Sequence, residues 1–453
     1  MNGLERADAG SVAPAAIATP VAYDDVPLGL FHWRVAAAST GGVFSDGFGL
    51  GIIGIALSLG AAQLELTPVW LGLLGGASLA GLFLGALVTG PVADQYGRRP
   101  IYASNMALLG GLSVLQFFVA SGAQLLVLRL LIGFVLGTDY VVSKALLTEF
   151  TPRAFRGRIL SLLSVAWAGG YTCAYFVGSA LTDVGADPWR WMLLTSALPC
   201  IAILPLRITM PESPLWLADH GDAERAARVV RDKLGPGVTP PPRSPPTLRD
   251  RGRWRQLVSR EWRRRTFVGC AFFTCLVIPY FALGTFVARV LAALHVEGAY
   301  AGGRIYNLAL LVGAVVGLAV VDRISRRRFL IGSFAIAATS LMALVAWEDL
   351  PPVLIVLLFA ILAGVLSAAS DLVYVYLPEL FPTDLRASGI GLAIAVSRVG
   401  SAVSTFLLPV VVAAFGVRAA LAACMVVLVF GGVVCLRWAP ETRHVRLAVA
   451  DDR

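Results

Sequence analysis

The sequence predicts an all-α, polytopic membrane protein with twelve transmembrane helices in two pseudo-symmetric six-helix bundles. Three observations lead there. The 453 residues are 57% hydrophobic and only 14% charged, with mean hydropathy +0.77, whereas soluble domains carry about 25% charged residues. The apolar residues gather in runs of about 20, the length that crosses a bilayer as a helix. Charged motifs recur about 229 residues apart, as expected of two homologous halves.

The runs occupy roughly 34–60, 68–91, 101–120, 124–148, 159–181 and 189–208 in the first half. In the second they occupy 266–288, 304–321, 329–347, 352–377, 387–413 and 417–437. They are too long for strands and do not alternate with period two. Residues 1–30 mix acids, prolines and alanines without an apolar stretch, which reads as a flexible cytoplasmic tail and not as a secretory signal. The N-terminal bundle then covers 31–208, a cytoplasmic linker 209–265, the C-terminal bundle 266–437, and a cytoplasmic tail 438–453. Within the linker, "GDAERAARVVRDKLG" (221–235) puts Ala223, Ala226, Ala227, Val230 and Leu234 on one helical stripe, a surface helix. "PGVTPPPRSPP" follows as a proline-rich stretch that resists folding. "WRQLVSREWRRR" (254–265) is basic with two tryptophans, as in an interfacial helix.

The net charge of +9 is explained by topology. Most arginines lie in segments that are cytoplasmic if both termini are inside, among them Arg98, Arg99, Arg153, Arg156, Arg158 and Arg326 to Arg328. The outer loops hold few, such as Arg190, Arg304 and Arg418. This is the positive-inside pattern of a multi-pass inner-membrane protein, and the anionic inner leaflet accounts for the basic balance without nucleic acid. The six cysteines lie in apolar runs with no C-x-x-C pair, and the four histidines are scattered. No metal site, disulfide framework or cofactor is expected. "GLGIIG" (49–54) fits G-x-G-x-x-G, but it sits inside a span, where small residues let helices approach; a dinucleotide site needs a preceding strand. With no P-loop, H-E-x-x-H or nucleophile elbow, the sequence supports no enzyme.

The repeated motifs are specific. Asp94 precedes Arg98 and Arg99 in "DQYGRR", and Asp322 precedes Arg326 and Arg327 in "DRISRR". "EFTPRAFR" (149–156) and "ELFPTDLR" (379–386) share E-x-x-P-x-x-x-R, and "PES" at 211 matches "PET" at 440. All fall at cytoplasmic helix ends. Arginine alone would anchor topology; the paired acids need another reason. We therefore expect a cytoplasmic gate of Asp94, Arg98, Arg99, Glu149, Arg156, Asp322, Arg326, Glu379 and Arg386. Its pairs hold when the inner side is closed and part when it opens.

"GPVADQYGRRP", "EFTPRAFRGR", "PESPLWL" and "PELFPTDLRASG" resemble the signature loops of the major facilitator superfamily, near its sugar-porter-like branch. "FHWRV" (31–35) with "DGFGLGIIG" (46–54) resembles the proton-coupled symporters of aromatic acids and niacin. "GTDYVVS" (137–143) resembles the fourth helix of that group and of phosphate–proton symporters, and "AVSRVGSAVSTFLLP" (395–409) its eleventh. The resemblance spans about 30–445. Three departures stand out. Gly49 replaces the second acid of D-G-F-D, and Gln95 stands where arginine is common. "SVAWAGGYTCAYFVG" lacks the G-P-x-x-G-G core of many drug–proton antiporters.

Charges inside the spans are costly, roughly 2.5–3.5 kcal/mol each at a helix centre. Asp46 lies near the midplane of the first span, where a desolvated carboxylate can exchange a proton near neutral pH; a structural pair is the alternative. On the fourth, Arg129, Gly133, Leu136, Tyr140 and Ser143 share one face. Asp139 and Lys144 flank it about 140° apart, so neither is the other's partner. Asp46 and Asp139 are the expected proton-coupling residues. The expected substrate contacts are Arg129, Tyr140, Ser143, Lys144, Trp167, Tyr171, Tyr280, Asp371 and Arg398. Lys144 also lies close enough to Glu149 to snorkel. Asp371 and Arg398 sit at similar depths, as a bridge that opens on binding or as a fixed pair. The expected protein is a proton-coupled symporter of a small organic, anionic metabolite, working by alternating access as a monomer in a lipid bilayer. A proton-antiport exporter and a non-transporting ligand sensor remain as alternatives.

Overall fold

A computed structural model describes residues 21–242, 256–321, 323–381 and 383–442, with only the backbone of Thr383, Asp384 and Ala387. Among them are twelve helices long and apolar enough to cross a membrane. Spans 1 to 6 are Leu30–Gln63, Pro68–Tyr96, Arg99–Phe118, Gly122–Phe150, Arg156–Ala180 and Pro188–Ile208. Spans 7 to 12 are Arg263–Thr285, Ala299–Val320, Arg326–Ala346, Pro352–Ser370, Ser388–Phe415 and Val417–Trp438. An even number of spans returns Leu30 and Trp438 to one face, which also carries the arginine-rich loops.

Local chemistry sets the ends. The Thr67 hydroxyl accepts from Trp70 N and the Ser121 hydroxyl from Gln124 N, capping spans 2 and 4. Gly97, at φ +92°, ends span 2 in a conformation that favours glycine. Three runs read as single helices are interrupted, that of span 7 at Phe286. Span 6 breaks at Ser196, and span 10 stops at Asp371 before the short helix Leu372–Leu380.

The first helix of each half is the most buried. Spans 1 and 7 are 83% and 78% buried over their most apolar windows, whereas spans 3, 6, 9 and 12 range from 33% to 39%. The first helix of each half thus fills the interior, while the third and sixth are among the more exposed, as are spans 8 and 11 at 39% and 22%. Close backbone approach makes this possible: a Cβ on Gly47 would meet the Trp167 carbonyl of span 5, and one on Gly54 the Thr285 carbonyl of span 7. The glycines of "GLGIIG" therefore include helix contacts of this kind.

The sequence suggested a loose tail to residue 30 and an unstructured stretch after Leu234. The structure differs where these are described. β1 (Val21–Ala22) pairs in parallel with β2 (Val238–Thr239). The Tyr23 hydroxyl donates to Glu149 O at 2.9 Å, and Arg153 N donates to Asp24 O at 2.9 Å. Burial pushes the Tyr23 phenol far above its usual range, so it remains a neutral donor. Helix ends leave carbonyls and amides unpaired, and this segment satisfies those at the turn between spans 4 and 5. Such long-range pairing leaves no periodic trace in sequence. The surface helix is Ala223–Leu234, with Asp222 as its cap and Ala226 and Val230 buried. Expectations for 1–20, 243–255 and 443–453 lie outside the described residues.

Candidate substrate and proton site

Asp139 meets a partner that the sequence reading did not assign. Arg207, at the end of span 6, engages both carboxylate oxygens; Nη2 to Oδ2 is 2.9 Å, and Nη1 bonds Oδ1. Asn105 donates to the same carboxylate at 3.1 Å and Ser143 at 2.9 Å. Arg207 also donates to Ser143 Oγ and Ala38 O and lies 4.1 Å over the Tyr102 ring. Both side chains of the pair are fully buried. This bidentate cluster ties spans 1, 3, 4 and 6 together, and it occupies Ser143. The available signal was one arginine in the apolar run "ALPCIAILPLRI".

Asp46 is 0% exposed, and neither carboxylate oxygen has a hydrogen-bond partner among the described residues. The charges acting on it are those of Asp139, Arg207 and Lys144. Across the same bundle, Arg129 is 1% exposed and donates from Nη1 to Gly49 O at 3.0 Å. Its Nε and Nη2 lack partners among the described residues. A Cβ on Gly49 would meet nothing within 4 Å.

Between the bundles lies a cavity lined by Tyr140, Ser164 and Trp167 from the first half and by Tyr280, Tyr374 and Arg398 from the second, among others. Trp167 stacks on Tyr171 at 5.2 Å and lies 5.9 and 5.8 Å from Tyr280 and Phe281. The Arg398 guanidinium sits 5.6, 5.8 and 5.5 Å from the rings of Tyr140, Phe273 and Phe281. Its Nε has no partner among the described residues. Asp371 forms no ion pair with Arg398 there; it accepts from Ser164 of the other bundle at 2.5 Å. The contact anticipated between spans 10 and 11 is replaced by one between spans 5 and 10, because Arg398 turns toward the aromatic rings. Lys144 lies over Tyr140 at 4.2 Å and Tyr374 at 5.0 Å. The fold thus gathers Tyr140, Trp167, Tyr280 and Arg398 around one cavity, with Lys144 beside it against Tyr140 and Tyr374. Arg129 and Ser143 lie within the first bundle, and Tyr171 stands behind Trp167.

At the arginine-rich face the two halves repeat one arrangement. Arg98 pairs with Glu149 and lies 3.8 Å from Asp94; Arg326 lies 3.6 Å from Glu379. Glu212 accepts from the amides of Arg98 and Arg99 at 3.1 and 3.0 Å. Glu441 accepts from those of Arg326 and Arg327 at 3.1 and 3.2 Å. The acids of "PES" and "PET" thus cap spans 3 and 9, a role the repeat signalled but the expected gate omitted. Arg156 meets Asp24 at 2.9 Å, and Arg386 donates to Pro378 O at 3.1 Å. Asp322 lies outside the described residues. These bonds fall within each half. On the opposite face, Arg289, on the short helix Val287–Ala293 after span 7, donates to Leu57 O at 3.0 Å and joins the two halves.

Two bundles around a shared, charged cavity define a secondary transporter of the major facilitator type. The family model described as "Sugar (and other) transporter" matches residues 35–452, and the chain belongs to that family. It is 40% identical to the inner membrane metabolite transport protein YgcS of Escherichia coli (strain K12), over 95% of this chain and 96% of the relative. It is 26% identical to the benzoate transport protein of Acinetobacter baylyi, over 83% of each. In fold it matches the partially occluded, inward-open xylose transporter XylE from E. coli, with TM-score 0.75, 20% identity and coverage of 92% and 100%. These relatives and neighbours are membrane transporters, and the chain is a multi-pass membrane protein.

Proposed function

We propose that this protein is a proton-coupled symporter of a small organic, anionic metabolite, set in the inner membrane with both termini cytoplasmic and working by alternating access as a monomer. The observation that carries this is the unequal charge at its centre. Among the described residues, Arg129, Lys144 and Arg398 make no ion pair, while Asp139 is already committed to Arg207 and only Asp46 and Asp371 remain at that centre as buried acids without an ion pair. Uncompensated cations at a low-dielectric site favour an anion.

Asp46 is the proton carrier in this reading: a buried carboxyl with no hydrogen-bond partner among the described residues, within reach of the charges of Asp139, Arg207 and Lys144. Asp139 positions Arg207 through its bidentate pair. The pairs of Arg98, Glu149, Arg326 and Glu379 brace the cytoplasmic ends as each bundle rocks. The YgcS and benzoate relatives lend support through their named roles in metabolite and benzoate transport. Proteoliposomes provide the test. An inward proton gradient (outside acid) drives accumulation of the substrate in a symporter; stimulation by the opposite gradient identifies an exporter, and binding without counterflow identifies a sensor.

A further inference from the structure

We infer that the substrate's carboxylate is clamped between Lys144 of the first bundle and Arg398 of the second, so that the anion itself joins the two halves. This rests on the anionic reading above and makes it specific: Lys144 is the residue that selects a carboxylate over a neutral solute of the same shape.

The two cations share one wall. Lys144 Nζ lies 4.2 Å from the centre of the Tyr140 ring and the Arg398 guanidinium 5.6 Å from it. Tyr374 of the second bundle completes the surround, 5.0 Å from Lys144. Aromatic faces hold cations by their quadrupole without supplying a counter-charge. Neither cation has an ion-pair partner among the described residues, and Arg398 is only 6% exposed with an unpartnered Nε. The charges of Arg398 and Asp46 both act on Lys144, the first repelling it and the second attracting it. A carboxylate between Lys144 and Arg398 offsets that repulsion, and it offers an oxygen to each donor.

The position gives the clamp a mechanical meaning. Lys144 stands just over one turn before Glu149, at the arginine-rich end of span 4. An anion drawing Lys144 toward Arg398 therefore pulls the halves together on that side. Trp167, Tyr280 and Phe281 form an apolar wall beside it, and Ser164, Ser367 and Ser370 line the same cavity. The clamp fixes the acid group, and these residues face the rest of the solute.

The test uses the full chain purified in nanodiscs and matched pairs of probes: benzoate against benzamide, nicotinate against nicotinamide, gluconate against glucose. Binding is read as thermal stabilisation and as quenching of tryptophan emission, with Trp167→Phe identifying the local signal. One or more carboxylates are expected to bind at least tenfold more tightly than their neutral partners. Lys144→Met and Arg398→Met are each expected to weaken that binding at least tenfold, while Lys144→Arg keeps it within about threefold. Unchanged binding in a folded Lys144→Met protein overturns the clamp and leaves an anion site on Arg398 alone. Preference for the neutral partners overturns the clamp together with the anionic reading of the transporter. A panel in which no carboxylate perturbs the parent protein also counts against the clamp.

Discussion

Gly49→Asp is the substitution that most directly probes how charge is apportioned in the first bundle. Arg129 is 1% exposed, and of its donors Nη1 reaches Gly49 O at 3.0 Å while Nε and Nη2 have no partner among the described residues. Space exists for the new group, since a Cβ at Gly49 would touch nothing within 4 Å. The aspartate is therefore expected to pair with Arg129. A hydrogen bond to a charged group contributes about 1.5–3 kcal/mol, and part of that offsets the burial of a second charge. A net gain of about 2 kcal/mol corresponds to about 4–8 °C in Tm for a bundle of this size. Gly49→Ala is the control, because replacing a mid-helix glycine alone contributes about 0.5–1 kcal/mol. Uptake should fall at least tenfold in Gly49→Asp and little in Gly49→Ala, because Arg129 loses its free charge. The assay is a thermal melt in detergent beside initial uptake rates in proteoliposomes. Equal melting temperatures for the two variants, with full uptake in the aspartate form, would refute the assignment of Arg129 as an uncommitted cation.

Further outcomes follow from the same geometry. Asp46→Asn should abolish accumulation driven by a proton gradient while leaving substrate exchange across the membrane; undiminished accumulation would remove Asp46 as the carrier. Asp139→Asn strands Arg207 in the interior and should cost about 3–5 kcal/mol, seen as lost monodisperse protein and a lower Tm. Asp139→Leu combined with Arg207→Met should recover much of that stability, and a double variant worse than the single one would contradict a structural role. Glu212→Gln and Glu441→Gln remove the same cap from the two halves. Each should cost about 0.5–2 kcal/mol, by similar amounts; a large effect from only one would show that the halves do not share this brace.

Several features were legible in the sequence because each depends on residues close together or on composition. Span length follows from the thickness of hydrocarbon, and twelve apolar runs became twelve helices. The two halves were visible as repeated charges, and those charges stand in matching arrangements at the arginine-rich face. Helical spacing also separated Asp139 from Lys144 on span 4, and the structure gives them different neighbours. What sequence could not supply was the choice among distant partners. Nothing near Arg207 indicates that it will meet Asp139, nor does anything near Asp371 favour Ser164 over Arg398. The docking of Tyr23 and Asp24 against the turn after span 4 was equally hidden. Rotation of each helix about its axis and the seam between the bundles decide these contacts. Both are set by packing summed over the whole molecule, where small residues such as Gly54 allow backbones to touch. The sequence thus determined that charges would be buried and on which helices. Tertiary structure decided which of them neutralise one another and which stay uncommitted.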